Sequence, residues 1–300
     1  MQLNAITLGY AVPQDGFEGR VHSSFRSAAN LKLDGNEYLL TILLRSETDL
    51  PQGIRVDSPQ GFTFEDLPIN ERLTCRGGIL RFEKSPLEID LRKGLRWQSD
   101  LSAFSLETTN SMFSESWEKV WQLLNDQQKR SGAEIVAEEL LHPQNAQRPD
   151  LLKRMVKGVT GLLESTEKMD LNTTDAVSAL LGLGSGLTPS GDDLLVGYMA
   201  GLFCRSGGNK TRKKFISALG KTLLDLSKNT TDISRTYLYH AAHGQFSRNL
   251  TDLAEAICNG LNSDQLYAVA TSAMQMGHTS GLDSVTGLLL GLKAWEGLKG

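Results

Sequence analysis

The apolar residues of this chain change period once, and that change fixes its architecture. From about residue 31 to 100 they come in short runs, the longest Glu37–Leu44, then Ile54–Val56, Phe62–Phe64, Leu73–Cys75, Ile79–Phe82 and Leu87–Leu91. Asp34-Gly35-Asn36, Pro51-Gln52-Gly53, Ser58-Pro59-Gln60-Gly61 and Gly77-Gly78 separate them, glycine allowing positive φ and proline fixing φ. Short strands so closely spaced predict a small antiparallel β barrel or sandwich. From about residue 112 apolar residues recur every three or four positions. That predicts helices over Met112–Leu141, Leu151–Leu163, Asp175–Leu181, Asp192–Phe203, Arg212–Leu226, Ser234–Ala242, Leu250–Asn259, Ser263–Met276 and Asp283–Trp295, with a loop at Gln144–Asp150. The expected fold is α+β: a β-rich domain over 1–108, then a larger all-α domain over 109–300 with an internal two-fold repeat.

Composition narrows the classes. Apolar residues make up 40% and charged residues 22% of the 300, which is ordinary globular usage and argues against disorder. With 31 basic and 35 acidic residues the net charge is −4, which argues against a nucleic-acid partner. No apolar run reaches the ~18 residues of a membrane span, and Met1–Gly16 lacks the basic start and apolar run of a secretory signal. Cys75, Cys204 and Cys258 form no CxxC pair, so neither a disulfide framework nor a structural zinc is expected, and a reducing, cytoplasmic setting is.

The repeat is the most informative local feature. The thirteen residues from Ser190 to Leu202 align with Ser280 to Leu292 at a constant offset of 90, sharing SGxDxxxGxxxGL with six identities. Gly182-Leu183-Gly184-Ser185-Gly186-Leu187 precedes the first copy, and Thr188-Pro189 supplies an N-cap hydroxyl and a first-turn proline. His278, Thr279 and Ser280 open the second copy. A helix start with free N–H groups and added hydroxyls favours an anion. Gly197/Gly201 and Gly287/Gly291 each lie on one helical face and would let two helix backbones approach, bringing both N-termini together. Capping alone accounts for a single acidic first turn; it accounts less well for a duplicated SGxD behind a glycine-rich loop. The absence of Lys-Ser/Thr excludes a P-loop, and the spacing is not the dinucleotide GxGxxG.

Other candidates carry less. His240 and His243, three apart, could share a metal, but with no third ligand nearby in sequence they read as solvent-exposed. His22, Arg26 and Asn30 make one stripe if Val21–Leu31 is a helix, and Lys210–Lys214 reads as a basic surface.

Three segments together, GLGSGLTPSGDDLLVGYMAGL, ISRTYLYHAAHGQF and MGHTSGLDSVTGLLLGL, resemble the small H subunit of bacterial oxamate carbamoyltransferase. The similarity covers roughly 150–295 and extends loosely toward the N terminus. It implies reversible carbamoyl transfer in allantoin and purine nitrogen catabolism: oxalurate plus phosphate gives oxamate plus carbamoyl phosphate. It also implies F-type and G-type partner subunits, and no cofactor. Matched onto the family motifs, Gly184, Gly186, Thr188, Ser190, Gly191, Asp192, Ser234, Thr236, Tyr237, Thr279, Ser280 and Gly281 would bind substrate, while His278, Asp193 and Asp283 would be catalytic. Ser185 stands where the family often has proline, and Gly191 where other residue types, including His, occur. The acidic helix starts also resemble those of ADP-ribosylglycohydrolases, which would make Asp192, Asp193 and Asp283 ligands of Mg²⁺. In a third reading the chain is a non-catalytic scaffold of the same complex.

Overall fold

The computed structural model describes residues 1–99, 101, 111–131, 135–141, 149–277 and 279–297. The chain divides into two compact units, Met1–Ser99 and Asp100–Gly300.

The first unit contains nine strands, β1 (Gln2–Gly9), β2 (Phe17–Ser24), β3 (Ala28–Leu33), β4 (Leu39–Leu43), β5 (Gly53–Asp57), β6 (Arg72–Arg76), β7 (Ile79–Phe82), β8 (Glu88–Asp90) and β9 (Leu95–Trp97). Eight of them form a ring, β1-β5-β4-β3-β2-β6-β7-β8, which β1 closes by pairing with both β5 and β8. β9 extends the β8 side by pairing with β1 farther along, at Thr7–Gly9. The barrel is mixed, because β1–β8, β1–β9 and β4–β5 run parallel and the other pairs antiparallel. Its interior is filled by Leu3, Val21, Leu31, Ile42, Ile54, Leu73, Leu80 and Ile89, among others.

The sequence reading began the strands near residue 31, yet β1 and β2 lie before it. The stripe expected if Val21–Leu31 were helical is instead a hairpin. His22 is the extra residue of a bulge, between the pairs Val21–Leu31 and Ser23–Asn30. Asn30 donates to Ser23 Oγ at 3.0 Å and accepts from Thr41 at 2.9 Å, so its amide ties neighbouring strands together. Phe62–Phe64 is not a strand.

The second unit is helical: α1 (Ser111–Ser131), α2 (Ala137–Leu141), α3 (Asp150–Lys168), α4 (Thr174–Leu180), α5 (Ser190–Cys204), α6 (Lys210–Leu226), α7 (Asp232–Ala242), α8 (Arg248–Asn259), α9 (Ser263–Met274) and α10 (Ser280–Lys293). The expected helix over Met112–Leu141 divides into α1 and α2, with 132–134 outside the described residues; of the expected loop at Gln144–Asp150, 144–148 also lie outside them. The basic run at Lys210 begins α6, where Asn209 caps Thr211 N and Arg212 N.

α5 and α10 are buried almost all round, as the central helices of such a unit must be. Their contact is reciprocal. A Cβ on Gly197 would lie 1.9 Å from Ser284 O, and one on Gly287 would lie 2.0 Å from Leu194 O. Gly201 would meet Leu288 O at 2.5 Å, and Gly291 would meet Tyr198 O at 2.3 Å. Under the 90-residue offset Leu194 corresponds to Ser284 and Tyr198 to Leu288, so the two sets of contacts exchange, as a local two-fold axis requires. Stepping four residues along α5 also steps four residues the same way along α10. The helices therefore run in the same direction and begin at the same end. The correspondence extends outward: α4 packs on α3 and leads into α5, as α9 packs on α8 and leads into α10.

Candidate functional site

Parallel α5 and α10 bring the two copies of the SGxD motif together. Thr188, just ahead of α5, and Ser280, the first residue of α10, are hydrogen-bonded through their hydroxyls at 2.7 Å. Beneath that contact lie Asp193 and Asp283, one from each copy, 8% and 7% exposed. They sit at equivalent positions four residues into their motifs, so the local axis places one carboxyl beside the other.

Burial, above all, pushes the Asp193 carboxyl well above the usual carboxylate range, and the nearby charges of Asp283 and Asp192 act in the same sense. The hydroxyls of Ser280 and Thr188 counter this only in part. Asp193 Oδ2 has no hydrogen-bond partner among the described residues. A carboxyl in this environment holds its proton to higher pH than an exposed one. It can then donate through O–H and still accept through its other lone pairs.

Asp192 faces differently. Successive helical residues are about 100° apart, which turns it toward the entry loop. Its Oδ1 accepts from Gly182 N at 2.8 Å, and its Oδ2 accepts from Thr230 Oγ1. Burial raises its pKa more than Gly182 N–H, Thr230 and Ser234 lower it. Both oxygens are thus committed to holding the loop. Asp192, Asp193 and Asp283 do not converge as ligands of one ion, and among the described residues no group of three His, Cys, Asp or Glu side chains could hold a metal.

The glycine-rich segment follows from the same packing. Gly182, Gly184 and Gly186 all have positive φ, 67°, 117° and 95°. A side chain on Gly184 would sit 2.8 Å from Ser190 N, so only a bare Cα fits over the α5 start. Thr231 donates to Leu187 O at 2.6 Å and also caps α7 at Ser234 N, which pins the far side of the loop to α7. Gly191 fits against the preceding helix, where a Cβ would lie 2.0 Å from Leu180 O. In this chain, therefore, the packing at this position takes glycine. Gly281 is the equivalent, 2.5 Å from Ala273 O by the same measure.

The other predicted residues divide. Ser190 and Ser280 are half-buried and Thr279 is exposed at the α10 start. Ser234 is buried against Asp192. Thr236 is buried on α7 and donates to Asp232 O one turn back at 2.9 Å, and Tyr237 is half-buried on the same helix. His278 lies outside the described residues. The α5 start is poorer in free donors than the sequence suggested, because Gly191 N bonds Leu183 O and both Asp192 N and Asp193 N bond Pro189 O. His240 is the reverse of the expected exposed histidine. It is 3% exposed, and burial first, then His243, depresses its pKa to about 3, while His243 is exposed. Sequence reasoning missed Thr230 and Thr231, whose roles arise from contacts with residues 38 and 44 positions away.

Comparison with known proteins gives two family matches. Residues 180–292 match the family described as oxamate carbamoyltransferase subunit AllH, and residues 5–96 match the AllH family N-terminal domain. The first match spans both SGxD copies and the whole of the site above. No solved structure matches the chain.

Proposed function

This chain belongs to the AllH family of oxamate carbamoyltransferase subunits, and on that premise we propose that it supplies the pocket in which the carbamoyl group is held during transfer. The pocket lies at the paired starts of α5 and α10, and the chain acts with F-like and G-like partner subunits in the cytoplasm, in allantoin degradation. The observation that carries this reading is the Thr188–Ser280 hydrogen bond above the adjoining Asp193 and Asp283 carboxyls. It makes one constellation out of two motifs 90 residues apart, which no capping role requires.

The ligands of the reaction have an anionic end, phosphate or carboxylate, and a carbamoyl end with an NH2 donor and a C=O acceptor. In this reading the half-buried hydroxyls of Thr188, Ser190 and Ser280 receive the anionic end near the helix starts, where the dipoles favour it. The carboxyls of Asp193 and Asp283 accept from the carbamoyl NH2. A proton on Asp193 removes a charge that would otherwise repel the substrate, and it offers a donor to the carbonyl oxygen. In oxalurate phosphorolysis a phosphate oxygen bonds to the carbamoyl carbon as the bond to the oxamate nitrogen breaks. The proton carried by phosphate ends on that nitrogen, and in this reading His278 moves it or stabilises the carbonyl oxygen.

The experiment is oxalurate phosphorolysis by a reconstituted complex of F-like, G-like and H-type subunits, run with and without this chain. Activity should require the chain. Asp193→Asn and Asp283→Asn, tested separately, should each lower turnover at least ~100-fold if they orient the transferring group. A complex that turns over oxalurate equally well without the chain would end the proposal. Full activity in both variants would remove the two aspartates from it.

A further inference from the structure

Two cysteines in the helical unit have no part in the chemistry above. Cys204 is the last residue of α5 and Cys258 lies in the last turn of α8, and their sulfurs are 3.2 Å apart. Both side chains are at most 1% exposed. A disulfide has its sulfurs about 2.05 Å apart, so bond formation requires the sulfurs to close by about 1 Å. The helices that carry them already pack side by side.

The two thiols are not equivalent. The bond between them and burial push Cys204 well up, which leaves it as the S–H donor. Cys258 is drawn down by accepting that bond, and the Arg205 guanidinium acts in the same sense. Arg205, next to the pair in sequence, is 2% exposed; its guanidinium is ion-paired with Glu296, bonds Leu292 O at 3.3 Å and lies over the Phe113 ring, and only its Nε–H has no partner among the described residues. A buried cysteine in apolar surroundings is inert, whereas one beside a guanidinium gains thiolate character.

We propose that Cys204 and Cys258 are a redox pair that a hydroperoxide closes to a disulfide, stapling the end of the site helix α5 to α8. The Cys258 thiolate attacks one peroxide oxygen, the O–O bond breaks, and Cys258 becomes a sulfenic acid as hydroxide leaves. Cys204 sulfur then attacks the sulfenic sulfur. The S–O bond breaks, and the second hydroxide takes the Cys204 proton to leave as water. Overall two thiols and one hydrogen peroxide give one disulfide and two waters. Burial of both sulfurs keeps bulky disulfide reagents out and selects an oxidant of this size. The bridge closes a loop of 54 residues between two of the central helices.

The full-length chain, purified reduced, is exposed to hydrogen peroxide, denatured without reductant, alkylated and analysed by intact mass and peptide mapping. The expected result is one alkylated cysteine, Cys75, and a Cys204–Cys258 cross-link that dithiothreitol reverses. The oxidised form should melt on the order of 5–10 °C higher than the reduced one. Cys204→Ser and Cys258→Ser should each abolish the cross-link. Mapping of the wild-type chain decides the matter even if a variant fails to fold. Three alkylatable cysteines after peroxide, or a cross-link that involves Cys75 or a second copy, would overturn the proposal.

Discussion

Thr188 and Ser280, 92 positions apart, share one hydrogen bond of 2.7 Å between their hydroxyls. It joins the entry of one repeat to the first residue of the other, so each hydroxyl depends on the other for its orientation. A neutral hydrogen bond of this kind contributes about 1 kcal/mol net. Thr188→Val and Ser280→Ala should each destabilise the chain by about that amount. The double variant should cost less than the sum, with a coupling of about 0.5–1.5 kcal/mol by urea unfolding. Strict additivity would mean that the two hydroxyls act independently.

The approach of α5 and α10 makes a sharper demand. Gly197→Ala and Gly287→Ala each place a methyl within 2.0 Å of a carbonyl oxygen of the facing helix backbone. A backbone atom cannot rotate away as a side chain can, so the helices must separate. Each substitution should cost about 3 kcal/mol or more, despite the ~1 kcal/mol that alanine gains in helix propensity. Gly208→Ala is the control: nothing lies within 4 Å of its Cβ, and stability should change by no more than about 0.5 kcal/mol. Equal effects at all three positions would refute the close packing.

These glycines show what was legible in the sequence. A spacing of four between small residues, repeated 90 positions later, is a local pattern that states which helix faces meet. The all-α half was readable because helix periodicity is local as well. β2 was not read as a strand, because Phe17–Ser24 contributes little to the core beyond Val21 and otherwise carries Glu18, Arg20, His22 and two serines. Its strand character comes from pairing with β3 and β6, which no local pattern records. The division of labour between Asp192 and Asp193 was hidden for the same reason. Adjacent in sequence, they differ only because Thr230 and Gly182 meet one of them and the second repeat meets the other.

His240 predicts how the fold responds to acid. Its pKa is depressed to about 3 by burial and by His243, while in the unfolded chain it is about 6.5. Below pH 6.5 the unfolded state takes up a proton that the folded state refuses, so stability falls as pH drops from about 6.5 toward 3. At pH 5 the loss from this residue is about 2 kcal/mol relative to pH 7. Urea unfolding at the two pH values should show it in the wild type, and His240→Gln should show about 2 kcal/mol less acid destabilisation. The same pH dependence in both proteins would assign the effect elsewhere.

Asp193 predicts the opposite slope, and with it a conflict between stability and function. Its folded pKa is raised, so above about 3.8 the folded state keeps a proton that the unfolded state has lost. The stability that this carboxyl contributes is therefore largest below 3.8 and declines as pH rises toward the folded pKa, beyond which it is constant. Asparagine has the same shape and a donor, but no proton to lose. Asp193→Asn should gain stability relative to the wild type as pH increases from 4 to 8, while carbamoyl transfer falls. Parallel urea titrations of the two proteins across that range test the stability arm without the partner subunits. A stability difference that does not change with pH would mean that Asp193 is ionised in the resting fold. The proton assigned to it in the transfer step would then have to come from another group.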